Sequence, residues 1–323
     1  MGIRGVNYDV GTVTGPFHSR PAFDDGEARR DLTVIRDELH CDAVRVSGTD
    51  RERLLAATGI ALELGLEVWL SPHLHDAGAA ETLANARELA AAAQRLGPER
   101  IVLLAGCELT MFMRGILKGD TLAERLRPGQ MARMRLLGSH NKPLNAFLAE
   151  LSGAVRAVFQ GRVSYASAPI ERVDWTPFDL VCVDTYRGRR NRDDFGERFR
   201  RHLAHGKPVV ATEVGCCAYR GAEQKGGMAW AIVDRDDRDR LAGDFVRDEE
   251  LQAAEVMDLL RILDAEGAAG AFVFTFAAPA LPHRADPARD LDMASYAIVR
   301  SYDDGHWEPK RLFHALAARN APA

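Results

Sequence analysis

Short, nearly continuous apolar runs recur along this chain. Each is separated from the next by a longer segment, and in most of these segments the apolar positions fall three and four residues apart. The runs at 3–8, 43–47, 67–71, 101–105, 162–166, 178–184, 207–215 and 270–276 read as strands. They are apolar on successive residues rather than alternate ones, as strands buried on both faces of a parallel sheet are. The segments 27–39, 50–64, 79–96, 143–159, 195–203, 249–266 and 310–319 read as helices. In the sixth of these, Leu251, Val256, Leu259, Leu260 and Leu263 form the apolar stripe. Gly65, Gly97, Gly161 and Gly206 stand just past helix ends, where a left-handed residue closes the last turn.

Eight strand–helix alternations without a break in composition imply a parallel sheet clothed in helices. Eight units imply closure into a (β/α)8 barrel, a TIM barrel of mixed α/β class, occupying 1–323 as a single domain. The competing arrangement is an open doubly wound sheet. It calls for a glycine-rich phosphate turn after an early strand, and neither GxGxxG nor GxxxxGK[ST] occurs in the chain. Long excursions follow strands four, seven and eight, whereas the connections into strands are short. Elaboration on one face marks the functional mouth of a barrel. The excursion at 216–247, with Gly221, Gly226 and Gly227, reads as a lid or a subunit contact.

Two strands end in a Glu. Strand seven runs Lys207-Pro208-Val209-Val210-Ala211-Thr212-Glu213, and strand four runs from Arg100 through Ile101-Val102-Leu103-Leu104-Ala105 to Glu108. A Glu beside a core is paired or used, because an isolated buried charge is costly. The other strand ends add Asn7 and Tyr8 (one), Arg45 (two), His73 and His75 (three), Tyr165 (five), Asp184 and Tyr186 (six) and Thr275 (eight). In a barrel these side chains converge on one cleft. Each also has a plain structural reading: the Glu residues as rim ion pairs, Arg45 as a bridge between carboxylates, Asp184 as a local cap.

Composition narrows the function. The 323 residues are 46% hydrophobic and 28% charged, with a formal net charge of −5. The pI is near 6.1 and the mean hydropathy −0.21. That balance argues against a nucleic-acid or anionic-membrane partner. The basic run Arg187-Gly188-Arg189-Arg190-Asn191-Arg192 is followed at once by Asp193 and Asp194, as in a solvated loop. The five cysteines include no CxxC pair, so neither a disulfide framework nor a zinc site is indicated, and reduced thiols in a cytoplasm are the expectation. His73 and His75 have the HxH spacing of a metal pair, but no further strand-end histidine completes a ligand set. No metal and no cofactor are expected, and the partner is a small-molecule substrate. No feature of the sequence assigns an oligomeric state.

The strand-end pattern resembles the large clan of retaining glycoside hydrolases built on (β/α)8 barrels, which includes cellulase-like and β-galactosidase-like families. In that clan the acid/base Glu closes strand four and the nucleophile Glu closes strand seven, the positions of Glu108 and Glu213. Cellulase-like members also carry an Arg on strand two, a His on strand three and a Tyr on strand six, for which Arg45, His73 or His75, and Tyr186 are the candidates. The stretch from Ala294 to Val299, then Trp307-Glu308-Pro309-Lys310 and Phe313-His314-Ala315-Leu316, looks like the clan's ending. The likeness spans nearly the whole chain but rests on position more than on long motifs. Two departures stand out. Cys107 occupies the place of the clan's Asn before the acid/base Glu, which holds the sugar 2-hydroxyl, and a thiol is a poor hydrogen-bond partner. The strand-eight end reads Thr275-Phe276-Ala277 where the clan often has a Trp platform.

The resemblance implies a two-carboxylate mechanism on a small soluble glycoside, with Arg45 and Tyr186 keeping Glu213 ionised and Glu108 as the acid. Two other readings stay open. One keeps the barrel and the Glu pair for hydrolysis or cyclisation of a non-sugar metabolite. The other is a non-catalytic ligand-binding protein on a glycosidase scaffold.

Overall fold

The computed structural model describes residues 1–322. Eight parallel strands close into one barrel: β1 Ile3–Asp9, β2 Ala43–Gly48, β3 Glu67–Pro72, β4 Ile101–Cys107, β5 Arg162–Ser167, β6 Val181–Asp184, β7 Val209–Val214 and β8 Gly270–Val273. Each pairs with its neighbour in sequence, and β8 returns to β1 with Ile3 opposite Gly270. The (β/α)8 expectation holds. The main helices are α1 Asp25–Asp37, α2 Arg51–Glu63, α3 Ala79–Leu96, α4 Asn141–Arg156, α5 Phe195–Arg200, α6 Glu249–Ala265 and α7 Arg311–Asn320.

Local chemistry sets the helix ends. Asp24, Asp50 and Asp248 cap α1, α2 and α6, each accepting a backbone N–H of the first turn, which satisfies a donor that the helix leaves open. Gly97 ends α3 at φ 110°, a conformation that a side chain would oppose.

Strand alternation divides the core into two layers. Inward positions such as Trp69, Val102, Leu104, Ala166, Cys182, Val210 and Phe272 fill the barrel, with the Trp69 and Phe272 rings 4.9 Å apart. Outward positions, among them Val44, Val46, Leu70, Leu103 and Val163, pack with helix residues such as Leu32, Ile35, Leu89 and Leu148. Three register shifts, arising at two bulges, interrupt the alternation. On β4, Leu104 faces Ser164 and Cys107 faces Ala166, three residues against two. On β7, Ala211 faces Val183 and Glu213 faces Asp184, two residues against one. A bulge re-aims the side chains beyond it, and these two bulges re-aim Glu108 and Glu213.

One link of the alternation has no helix, and none is read there from the sequence. No helix lies between β5 and β6; a turn carries the chain past Glu171 and Trp175. Strand six begins at Val181 rather than at Phe178, whose ring packs on Tyr165 and Trp175. The excursion after β4 holds the short helices Leu109–Phe112 and Leu122–Arg125 and then Pro128–Leu137. Arg125, fully buried, staples it: Nε donates to Met111 O (2.6 Å), Nη1 to Gly119 O (3.2 Å) and Nη2 to Phe112 O (3.0 Å) and to Asp76. Among the described residues, no helix is long and apolar enough to cross a membrane.

Candidate active site

Arg45 is the hub of the barrel mouth. Its position on β2 points inward, and its side chain is enclosed. Nη1 donates to Glu213 Oε1 at 2.8 Å and Thr212 O at 3.1 Å, with Asp184 Oδ1 at 3.5 Å. Nη2 faces Ser71 Oγ (3.1 Å), His73 Nε2 (3.3 Å) and Cys107 Sγ (3.3 Å). A guanidinium only donates, so in a bond from Nη2 the His73 Nε2 is the acceptor; Ser71 Oγ lies 3.3 Å from the same nitrogen. Burial and the adjacent Arg45 hold the His73 imidazole well below its usual range, hence neutral.

Glu213 rises from the bulge of β7 with 12% of its side chain exposed. Its second oxygen accepts the Tyr186 hydroxyl at 2.8 Å. Burial, then the nearby Asp184, push its carboxyl up to about 7, against the opposing pull of Arg45 and Tyr186. Glu108 stands past the β4 bulge in a left-handed conformation, φ 45°. A non-glycine residue held there costs on the order of 1 kcal/mol and persists only where its surroundings fix it. The fixing is visible: Glu108 N donates to Ala166 O at 2.8 Å, and Leu109 N donates to Tyr165 Oη at 2.7 Å. Its carboxyl has no hydrogen-bond partner among the described residues. Burial and the charges of Asp184, Glu213 and Glu171 hold it well above the usual carboxylate range.

The sequence-derived residues therefore divide. Arg45, His73, Glu108, Tyr186 and Glu213 meet at the mouth, with Cys107 and Asp184 directly beneath. Asp184, read from the sequence as a substrate-side residue, is wholly buried in the floor of the mouth, donated to by Thr212 Oγ1 (2.7 Å) and the Cys107 thiol (3.5 Å). Asn7 also lies inside the barrel, donating to Thr212 O at 3.1 Å. His75 sits at the β3 rim, its ring stacked on Phe112 at 3.9 Å and its Nδ1 2.5 Å from Thr14 Oγ1. Burial drives its pKa down to about 4.

Two phenols expected in the cleft face the other way. Tyr8 is one position past the inward Asn7, so it points into the helix layer, where its hydroxyl lies 3.1 Å from Asp31 Oδ2 and Arg20 stacks on its ring. Tyr165 lies between the inward Ser164 and Ala166 and donates to Glu171 at 2.9 and 3.0 Å. Strand eight breaks this alternation, because its ladder ends at Val273. Phe276 is buried against Tyr8 and Trp307, while Phe274, past the last paired residue of β8, is half-buried beside Tyr296 with ring centroids 6.0 Å apart.

Tyr296 itself is not singled out by the sequence, although its ring lies 5.2 Å from that of Tyr186. Its hydroxyl donates to Gly226 O (2.7 Å) and accepts from Ala229 N (3.1 Å), which ties the excursion after β7 to the ring beside Tyr186. Its sequence signal is its place in the Ala294–Val299 stretch that looks like the clan's ending. Cys107, Asp184 and Glu213 offer ligand atoms within 4.8 Å of one another, but the Arg45 guanidinium already touches all three.

No family model matches the chain, and no curated protein matches it by sequence. Solved structures do. A GH113 β-mannanase, AaManA from Alicyclobacillus acidocaldarius in complex with ManMIm, superposes with a TM-score of 0.64 at 17% identity, over 99% of this chain and 97% of that one. A fungal β-1,4-galactanase gives a TM-score of 0.58 at 11% identity over 98% and 99%. An endo-1,4-β-D-mannanase from Thermotoga petrophila gives 0.54 at 11% over 99% of both chains. The chain shares its barrel fold with these glycoside hydrolases. Within that fold Glu108 directly follows β4 and Glu213 is the penultimate residue of β7, the two strands on which the sequence resemblance placed the catalytic pair.

Proposed function

We propose that the protein is a glycosidase in which Glu213 is the nucleophile and Glu108 the acid/base, acting on a small soluble glycoside. The observation that carries this is the asymmetry of the two carboxyls. Glu213 receives two donors, Arg45 and Tyr186, both of which favour its ionised form. Glu108 receives none among the described residues, and burial among other carboxylates favours its protonated form. Two acids in unlike environments take unlike roles.

The reaction has two steps. An oxygen of the Glu213 carboxylate attacks the anomeric carbon as the glycosidic C–O bond breaks, and the Glu108 proton passes to the leaving oxygen. Water then attacks the same carbon, giving its proton to Glu108, and the Glu213 carboxylate leaves. Arg45 and Tyr186 orient the attacking carboxylate.

The neighbours in fold include mannanases and a galactanase, which places β-1,4-linked mannosides and galactosides at the head of a substrate panel. The test is incubation with activated 2-deoxy-2-fluoro glycosides of that panel, then peptide mass mapping. A stable adduct on Glu213 supports the reading; turnover of no glycoside by pure protein sinks it.

Cys107 favours a second reading. Its thiol is committed to Asp184 and Arg45, so no amide stands beside Glu108 to read a sugar hydroxyl. A hydrolase or cyclase of a non-sugar metabolite uses the same pair without that contact. A ligand-bound structure separates the two: ring hydroxyls bonded at the mouth support the glycosidase.

A further inference from the structure

Asp184 takes no part in the two-step reaction, yet no carboxylate in the barrel is more completely enclosed, with 0% of its side chain exposed. Oδ1 accepts from Thr212 Oγ1 at 2.7 Å and faces Arg45 Nη1 at 3.5 Å, and Oδ2 accepts from the Cys107 thiol at 3.5 Å. Arg45 Nη1 has two hydrogens and three acceptors around it: Glu213 Oε1, Thr212 O and Asp184 Oδ1. One guanidinium is thus divided between a carboxylate of β6 and one of β7.

The groups facing Asp184 are Arg45 on β2, Cys107 and Glu108 on and after β4, Glu171 after β5, Tyr186 past β6, and Thr212 and Glu213 on β7, with His73 past β3 set against Arg45. Of these Arg45 carries the positive charge, since His73 is neutral. Thr212 is also the residue before Glu213, within the bulge that aims it.

We propose that Asp184 is a positioning residue for Glu213: it anchors Thr212 and Arg45 from below and takes a share of the guanidinium charge, so that Glu213 receives less than a whole counter-charge. The inference rests on the two-carboxylate reading for its meaning in catalysis but not for its test. It distinguishes this barrel from one in which the Arg pairs with the nucleophile alone.

Carbon-13 NMR of protein labelled at the glutamate carboxyl tracks Glu213 directly, its signal assigned by its loss in Glu213→Gln. In Asp184→Asn, which keeps the size and an oxygen for Thr212, the Glu213 titration midpoint falls by about one pH unit, because a like charge has been removed. In Thr212→Val, which removes the competing donor and leaves Asp184 to Arg45, the midpoint rises. A midpoint that is unmoved, or moves in the opposite sense, in whichever of these variants folds overturns the proposal. In active protein the acid limb of kcat/KM moves with the midpoint, which a merely structural Asp184 would leave in place. If the wild-type protein cleaves no glycoside, the functional reading fails, and the carboxyl titration still decides this one.

Discussion

Arg45 Nη1 lies 2.8 Å from Glu213 Oε1, yet the Glu213 carboxyl is raised to about 7. Burial and the second carboxylate, Asp184, outweigh the ion pair. Glu213 is therefore ionised only as the pH passes neutrality, while burial and the surrounding carboxylates hold Glu108 well above the usual carboxylate range and favour its protonated form. We expect kcat/KM to rise through about pH 7 and to fall at higher pH as Glu108 loses its proton, a bell with its acid limb set by Glu213. A pH–rate profile in which activity peaks near pH 4 contradicts this assignment of roles.

Tyr186→Phe removes the hydroxyl that donates to Glu213 Oε2 at 2.8 Å. A hydrogen bond to a charged group contributes about 1.5–3 kcal/mol. The variant should lose about tenfold or more in kcat/KM near pH 6. Its acid limb should move to higher pH, because the lost bond favoured the ionised form.

Glu108→Gln separates the acid from the nucleophile by the leaving group. With an alkyl glycoside, whose alkoxide needs a proton, the loss should be about 10²–10⁴-fold. With a dinitrophenyl glycoside, which departs unprotonated, formation of the glycosyl-enzyme should be nearly unchanged and its hydrolysis slowed. Pre-steady-state kinetics reads both. Equal losses on the two substrates would remove Glu108 from the acid role.

Glu213→Gln should stabilise the fold at alkaline pH. The folded carboxyl titrates near 7, against about 4.3 in an unfolded chain. The folded state binds the proton more tightly, so the contribution is fully present below about pH 4.3 and is lost as pH rises through the folded value. Gln stays neutral throughout. Urea unfolding at pH 8 should show the variant more stable, by up to about 3 kcal/mol. That advantage should vanish towards pH 4. No gain at pH 8 would mean that the ion pair outweighs burial.

All five cysteines are free and buried. Burial pushes Cys41, Cys182 and Cys216 up to about 12 and Cys107 and Cys217 well above their usual range. A thiol must ionise to react. A disulfide reagent at pH 7.5 should find no thiol in the native protein and five after denaturation. Rapid native labelling of Cys107 would show that the mouth opens to its floor.

The barrel is legible in the sequence because eight apolar runs, buried on both faces, leave little room for another sheet. Glu108 and Glu213 are legible because each closes such a run. Side-chain direction is not. One residue separates Asn7, facing in, from Tyr8, facing out, and the runs are apolar on both sides, so the pattern carries no phase. The β4 bulge shifts that phase again between Leu104 and Cys107. Phe274 and Phe276 show a second difficulty: two residues apart, they would share a face of a continuing strand, yet past the end of β8 one lies beside Tyr296 and the other against Trp307. Asp184 reads as a substrate contact because a strand-end carboxylate is equally apt for mouth or floor; its depth depends on Thr212 and Cys107, two strands that sequence distance does not connect.

Glu171 lies in the turn that replaces the helix between β5 and β6. Its carboxylate accepts from Thr110 N, Ala168 N and the Tyr165 hydroxyl, which in turn accepts from Leu109 N. The backbone just after Glu108 is therefore held by residues of the next unit. In chimaeras made by exchanging segments between barrels, a crossover between 112 and 162 would part Glu108 from its support. A fragment from β4 through that turn would travel as one heritable block.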